Sequence, residues 1–152
     1  MSALQGQLQF GGGAACALTG GTARTPVVVT APANQRLKIL GYGFFFDGTS
    51  NSAQPVQVQL GRASAAGTST GATPYPQEED LAETFQATWG VDCTAEPTYT
   101  HMLKTITVHP QLGYEYLAPA GQEIIVKGGG IFGVQALAPA TVNMRGYILY
   151  EE

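Results

Sequence analysis

Along this chain apolar and polar residues alternate in short runs, and glycine or proline breaks the runs apart. Val56, Val58 and Leu60 alternate with Gln57 and Gln59. Ile106 and Val108 stand against Thr105, Thr107 and His109. In the last segment Val142, Met144, Ile148 and Tyr150 take one side, and Asn143, Arg145, Tyr147 and Leu149 the other. A period of two is that of a β-strand with one buried face. "TPVVVT" and "EIIVK" are continuous apolar runs, as expected of strands covered on both faces. Further strands are expected over 14–19, 85–91, 114–117 and 131–138. Roughly nine or ten strands, with turns over 47–52, 67–76 and 94–98, predict an all-β, two-sheet antiparallel sandwich of the jelly-roll kind. Only "PQEEDLAETF" suggests a helix. Pro76 opens it, acids fill its first turn, and Leu81 and Phe85 lie four apart, which predicts one or two turns.

The first 13 residues end in "GGG" and read as an N-terminal arm anchored by Leu4, Leu8 and Phe10. Residues 14–152 then form a single sandwich domain, in keeping with the chain length of 152 residues.

One pattern occurs twice. "APANQRLKILGYGFFF" at 31–46 and "APAGQEIIVKGGGIFG" at 118–133 align without a gap. In each, proline stops a strand, Asn34 or Gly121 offers a turn through positive φ, and alternating apolar residues follow. Neither copy carries a nucleophile, a metal ligand or a phosphate cradle, so the repeat reads as one structural device used at two corners. The first copy conflicts with a one-sided strand. Leu37, Ile39, Gly41, Gly43 and Phe45 share one parity, while Arg36, Lys38, Leu40, Tyr42, Phe44 and Phe46 share the other. Either the strand bends through a bulge at the glycines, or its second half is covered on both sides. That cover could come from another part of this chain or from a neighbouring subunit, and the latter makes Tyr42 and Phe44, with Tyr147 and Leu149, the candidate subunit-interface residues.

Composition sharpens this. Charged residues are 12% of the chain, against about 25% in an ordinary soluble domain. A surface so poor in charge suits a subunit that packs against others. The net charge is −4 and the seven Lys and Arg are scattered, which argues against nucleic-acid binding. No apolar run approaches the ~18 residues of a membrane span. The first ten residues lack a basic and an apolar leader region, so synthesis and folding in a cytoplasm are expected.

Candidate chemistry is sparse. His101 and His109 lie about 26 Å apart on one extended strand, too far to share a metal. Glu78, Glu79, Asp80 and Glu83 lack the spacing of a calcium loop. "KGGG" and "GYGFFF" complete neither a phosphate loop nor a dinucleotide fingerprint. Cys16 and Cys93 read as buried free thiols. Trp89, Tyr114 and Tyr116 could form a sugar-stacking platform, but aromatic residues in a sandwich more often serve the core. No nucleophile, base and oxyanion set can be assembled, so neither an enzyme nor a cofactor is expected.

The segments "QRLKILGYGFFFDGTSNSAQPVQVQLGR", "AGTSTGATP", "TAEPT", "VHPQ", "LAPAGQEIIVKGGG" and "APATVNMRGYILYEE", from Val27 to Glu152, resemble a group of tailed-bacteriophage head proteins. These are small jelly-roll decoration, or cement, proteins. The resemblance implies a homotrimer on the capsid's outer surface, made in the host bacterial cytoplasm and bound to the major capsid protein. The resemblance also implies that the arm, or one end of the sandwich, grips the shell; Leu4, Leu8 and Phe10 are the arm's candidate contacts. The alternative is a trimeric jelly-roll module of a head or tail fibre that recognises glycans or another receptor.

Overall fold

The alternating segments become the strands of two antiparallel sheets laid face to face. The computed structural model describes residues 4–11 and 16–152. Its strands are β1 (Gln5–Phe10), β2 (Cys16–Leu18), β3 (Ala23–Thr30), β4 (Leu37–Phe46), β5 (Val56–Ala65), β6 (Thr68–Ala72), β7 (Tyr75–Pro76), β8 (Thr88–Ala95), β9 (Thr98–Val108), β10 (Gly113–Leu117), β11 (Ile124–Val126), β12 (Ile131–Leu137) and β13 (Val142–Glu151). The first sheet runs β10-β4-β13-β1-β7, with β11 also on β4 and β2 also on β13. The second runs β6-β8-β3-β12-β5-β9.

The core lies between the sheets and is filled by the predicted inward residues. Val56, Val58 and Leu60 meet Met144, Ile148 and Tyr150 in one buried cluster. Trp89 from the second sheet packs its ring 4.8 Å from that of Tyr150 in the first. Val27, Val28 and Val29 are all buried, as their unbroken apolar run requires. Ile125 in "EIIVK" departs from that pattern. It sits on an edge strand and faces out.

The N-terminal segment is not a separate arm. Gln5–Phe10 pairs along its whole length with β13, from Gln5 opposite Glu151 to Phe10 opposite Gly146. Leu8 is 1% exposed and Phe10 is 2%. Their period-two spacing puts both into the core, and Gly146 leaves the space that the Phe10 ring fills. Residues 1–3 and 12–15, including the rest of "GGG" and the start of the strand expected over 14–19, lie outside the described residues.

Two other expectations change. No helix occurs among the described residues, and 77–87 crosses the end of the sandwich as an irregular loop. Pro76 belongs to β7, Asp80 takes a φ of 60°, and Phe85 caps Gly6 and Tyr150, so the local helical signals yield to tertiary anchors. The segment 67–76, read as a turn, contains β6 and β7. Its small residues are accommodated because Ser69 lies over Gly90 of the adjoining strand.

The parity conflict in β4 resolves as a bulge. Leu149 pairs with Gly41 but Tyr150 pairs with Ile39, which leaves Leu40 as an extra residue. The side chains exchange faces there. Leu37 and Ile39 point into the core before it, and Tyr42 and Phe44 point into the core after it.

The doubled segment forms one local device. Gln35 N–H donates to the Pro32 carbonyl and Gln122 N–H to the Pro119 carbonyl, so both copies turn alike. Gly121 takes a φ of 86°, whereas Asn34 does not adopt positive φ. The copies then pair with each other: Leu37 opposite Val126, Lys38 opposite Ile125 and Ile39 opposite Ile124. In the sequence alignment Leu37 matches Ile124 and Ile39 matches Val126. The crossed pairing therefore relates the two copies by a local twofold axis through Lys38 and Ile125.

Candidate contact surface

The outer face of the first sheet is the most distinctive surface. One register row crosses all five strands: Leu117 opposite Gly41, Gly41 opposite Leu149, Leu149 opposite Gln7, and Gln7 opposite Tyr75. Leu117 is 70% exposed and Tyr75 is 72%. The next row holds Glu115, Gly43, Tyr147 and Gln9, and the one after it Gly113, Phe45 and Arg145. Ile125 lies in the row on the other side, beside Lys38 and Glu151. Among the described residues, Phe45, Tyr75, Leu117 and Ile125 are four of eight exposed large apolar side chains, and all four share this face.

Glycines floor it. A Cβ on Gly43 would stand 2.5 Å from Cε1 of Tyr147, because the Tyr147 ring lies flat across that glycine. The Tyr147 hydroxyl thereby reaches Glu115 on the far strand and donates to it at 2.7 Å. The Glu115 carboxylate, and then burial, push Tyr147 up to about 12. Gly41 is covered similarly by Leu117. Lys38, Glu151 and Glu115 find partners within the chain. Lys38 Nζ donates to Glu151 at 3.0 Å, and this bond with that from Gln5 holds Glu151 below the usual carboxylate range.

Of the four interface residues inferred from parity, Tyr147 and Leu149 lie on this face, each half-buried. Tyr42 and Phe44 do not. Phe44 is fully buried and Tyr42 nearly so, because the Leu40 bulge turned them inward. Leu8 and Phe10 are likewise core residues, unavailable to a partner in the folded chain. Leu4 is half-buried, and its N–H and carbonyl pair with Glu152.

Tyr42 takes part in a closure that the sequence did not reveal. At the sandwich edge where β9 and β10 approach, Lys104 Nζ stands 4.1 Å from the Tyr116 ring centroid. It donates to the hydroxyls of Tyr42 at 3.0 Å and Tyr114 at 3.4 Å. Tyr42 stacks between Phe44 and Tyr116. Burial pulls the Lys104 ammonium down, but its two phenolic partners outweigh this and leave it raised. Burial raises Tyr42 against the opposing pull of Lys104. Both raised groups contribute stability below their unfolded values, about 10, and lose it as pH climbs through the folded ones. Lys104→Met is expected to cost about 1–2 kcal/mol at neutral pH. In urea titrations the gap from wild type should narrow above pH 10. A gap that is absent at neutral pH, or that widens with alkali, would refute this closure.

The proposed sugar platform is not assembled. Trp89 is 2% exposed inside the core, while Tyr114 and Tyr116 face inward around Lys104. His101 is exposed and His109 bonds locally, its Nδ1 accepting from Gln111 N–H. Among the described residues no group of three or more His, Cys, Asp or Glu is placed to hold a metal. Cys16 and Cys93 are buried free thiols. Burial raises Cys16 to about 12 and Cys93 to about 11, which keeps both protonated and inert. Two open clefts flank the sandwich. One of about 450 Å³ lies among Asp47, Pro110 and Pro139; the other, of about 860 Å³, lies between the acidic loop and Glu152.

A second polar cluster also escaped the sequence reading. Glu96 leaves the turn after β8 and accepts from Thr25 N–H at 2.9 Å and from Thr25 Oγ1 at 2.5 Å. Gln135 Nε2 adds a third donor, and Tyr99 joins through Thr25. The fully buried Thr25 is thus satisfied, and the Tyr99 ring is held over Gly133. The only sequence signal was a threonine beside Pro26 in an apolar run. No family model, curated protein or solved structure matches this chain.

Proposed function

We propose that the protein is a capsid decoration, or cement, protein of a tailed bacteriophage, acting as a homotrimer on the outside of the assembled shell. One observation supports this reading most directly: the apolar, glycine-floored outer face of the first sheet. Exposed apolar side chains gathered on one sheet face suit contact with another protein. The segments from Val27 to Glu152 that resemble head decoration proteins supply the kind of assembly. Such a protein acts by mass action, since binding only the assembled, expanded shell stabilises that state over its separate parts. Linking three copies adds avidity for a repeating lattice without any new contact.

Light scattering on the purified protein should give three times the monomer mass, and the protein should co-sediment with emptied, expanded heads. Protein that ignores such heads at micromolar concentration refutes the proposal.

A further inference from the structure

The larger of the two clefts, about 860 Å³, lies between the acidic loop 77–87 and the strand ends at Leu4 and Glu152. That volume is within the roughly 300–1,000 Å³ of small-ligand sites, whose linings are mostly apolar. This lining is polar. Gln35, Gln77, Gln86, Glu78 and Glu83 form much of it, with Leu4 and Leu81 as its apolar part. Glu78 and Glu83 enter no ion pair among the described residues. The Glu152 carboxylate accepts from Gln86 and Ala87 N–H, which ties the loop down.

Behind this wall two polar atoms are buried with no hydrogen-bond partner among the described residues: Trp89 Nε1 and the Tyr150 hydroxyl. Their residues are 2% and 0% exposed, and their rings stand 4.8 Å apart. Buried donors in native proteins are nearly always bonded, so an unbonded pair calls for a reason. Burial, and then the Glu152 charge, raise Tyr150 and keep its hydroxyl a donor; the Trp89 N–H pulls the other way but is not aligned to bond it. The Phe85 ring packs 5.3 Å from that of Tyr150, and its neighbours Thr84 and Gln86 line the cleft. Phe85 is thus the gate between the cleft and the two donors.

We infer that this cleft binds a neutral saccharide, whose hydroxyls bond the amides and carboxylates of the wall and, with Phe85 turned aside, the two donors behind it. The inference goes beyond the decoration reading and does not rest on it. The ligand class follows from what each group needs. Glu78 and Glu83 need donors, Trp89 Nε1 and Tyr150 need acceptors, and the glutamine amides offer both. A sugar hydroxyl donates and accepts. A cation such as a polyamine supplies donors only and leaves the buried pair unbonded. An anion meets the carboxylates of Glu78, Glu83 and Glu152.

The test screens the wild type on an array of neutral oligosaccharides of glucose, galactose, mannose and N-acetylglucosamine. Sialylated and sulfated glycans form the anionic arm, and spermidine is titrated separately as the cationic one. Neutral glycans should bind, and titration with the best of them should shift the emission of Trp89, the single tryptophan. Gln35→Ala and Glu83→Ala change side chains outside the core, so circular dichroism should be unaltered, while each weakens binding at least tenfold by calorimetry. Tyr150→Phe should also weaken binding yet leave the melting temperature unchanged, because the hydroxyl it removes bonds nothing in the free protein. The inference is overturned if no neutral glycan binds, if only charged probes bind, or if Trp89 emission or the affinity of the variants stays unmoved. It is equally overturned if Tyr150→Phe lowers the melting temperature by more than about 5 °C, which would put the partner of the hydroxyl inside the fold. Head co-sedimentation of the wild type is scored separately, so the decoration reading stands or falls independently.

Discussion

Phe10→Ala is expected to lower unfolding stability by about 3–5 kcal/mol, as for other buried aromatic truncations. The Phe10 ring fills the space over Gly146 and lies 6.4 Å from the Phe44 ring. Removing it opens a cavity bounded partly by glycine backbone, which has no side chain to move in. Domains of this kind are stable by only about 5–15 kcal/mol. Deleting residues 1–10 should therefore do more than trim an arm. It strips β13 of its neighbour along six residue pairs and exposes the core. Urea unfolding followed by tryptophan fluorescence is a direct readout, since Trp89 is buried. A loss under 1 kcal/mol for Phe10→Ala would mean that β1 is peripheral, as an arm would be.

The second large effect is a contrast between two glycines of the first sheet. Gly146→Ala should cost about 3 kcal/mol, while Gly43→Ala should cost under about 1 kcal/mol. A methyl group on Gly146 falls on the Gly43 carbonyl oxygen and stands 2.5 Å from Phe10 Cζ. The oxygen belongs to a paired strand and cannot retreat. A methyl group on Gly43 has its three closest contacts in the Tyr147 side chain, which is half-exposed and can swing toward solvent. Stability then changes little, but the bond to Glu115 is lost. The Tyr147 hydroxyl should move back toward the ordinary value near 10 from about 12, which spectrophotometric titration can follow. Equal costs at the two positions would contradict this account. Adding Phe10→Ala to Gly146→Ala should give no rescue, because the carbonyl clash persists.

The period-two runs made the sandwich legible. Val56, Val58 and Leu60, and likewise Met144, Ile148 and Tyr150, point where alternation put them, since each lies in a strand with one covered face. Alternation failed where a single residue breaks it. The Leu40 bulge reverses the parity of β4, and sequence spacing alone cannot say where an extra residue sits. That reversal moved Tyr42 and Phe44 from the outside to the core. The glycine-rich end of the first segment suggested an arm, although Leu8 and Phe10 already had strand spacing; their partner lay more than 130 residues away. The surface features were the least legible. Tyr75 and Leu117 gain meaning only from a register that joins five strands, and Lys104 only from three tyrosines on two other strands.

The pairing of β1 with β13 also sets an order of events during synthesis. Gln5 lies opposite Glu151, so the first strand finds its main partner more than 130 residues further along the chain. At about 5–20 residues per second the N-terminal strand waits on the order of ten seconds or more for that partner. Such distant pairing is slow to nucleate, because the chain must first close its longest loop. The core position filled by Leu8 and Phe10 can therefore be sealed only once β13 has been made. Until then the nascent chain carries β1 without its main neighbour, so making the first strand and closing the core over it are separated in time.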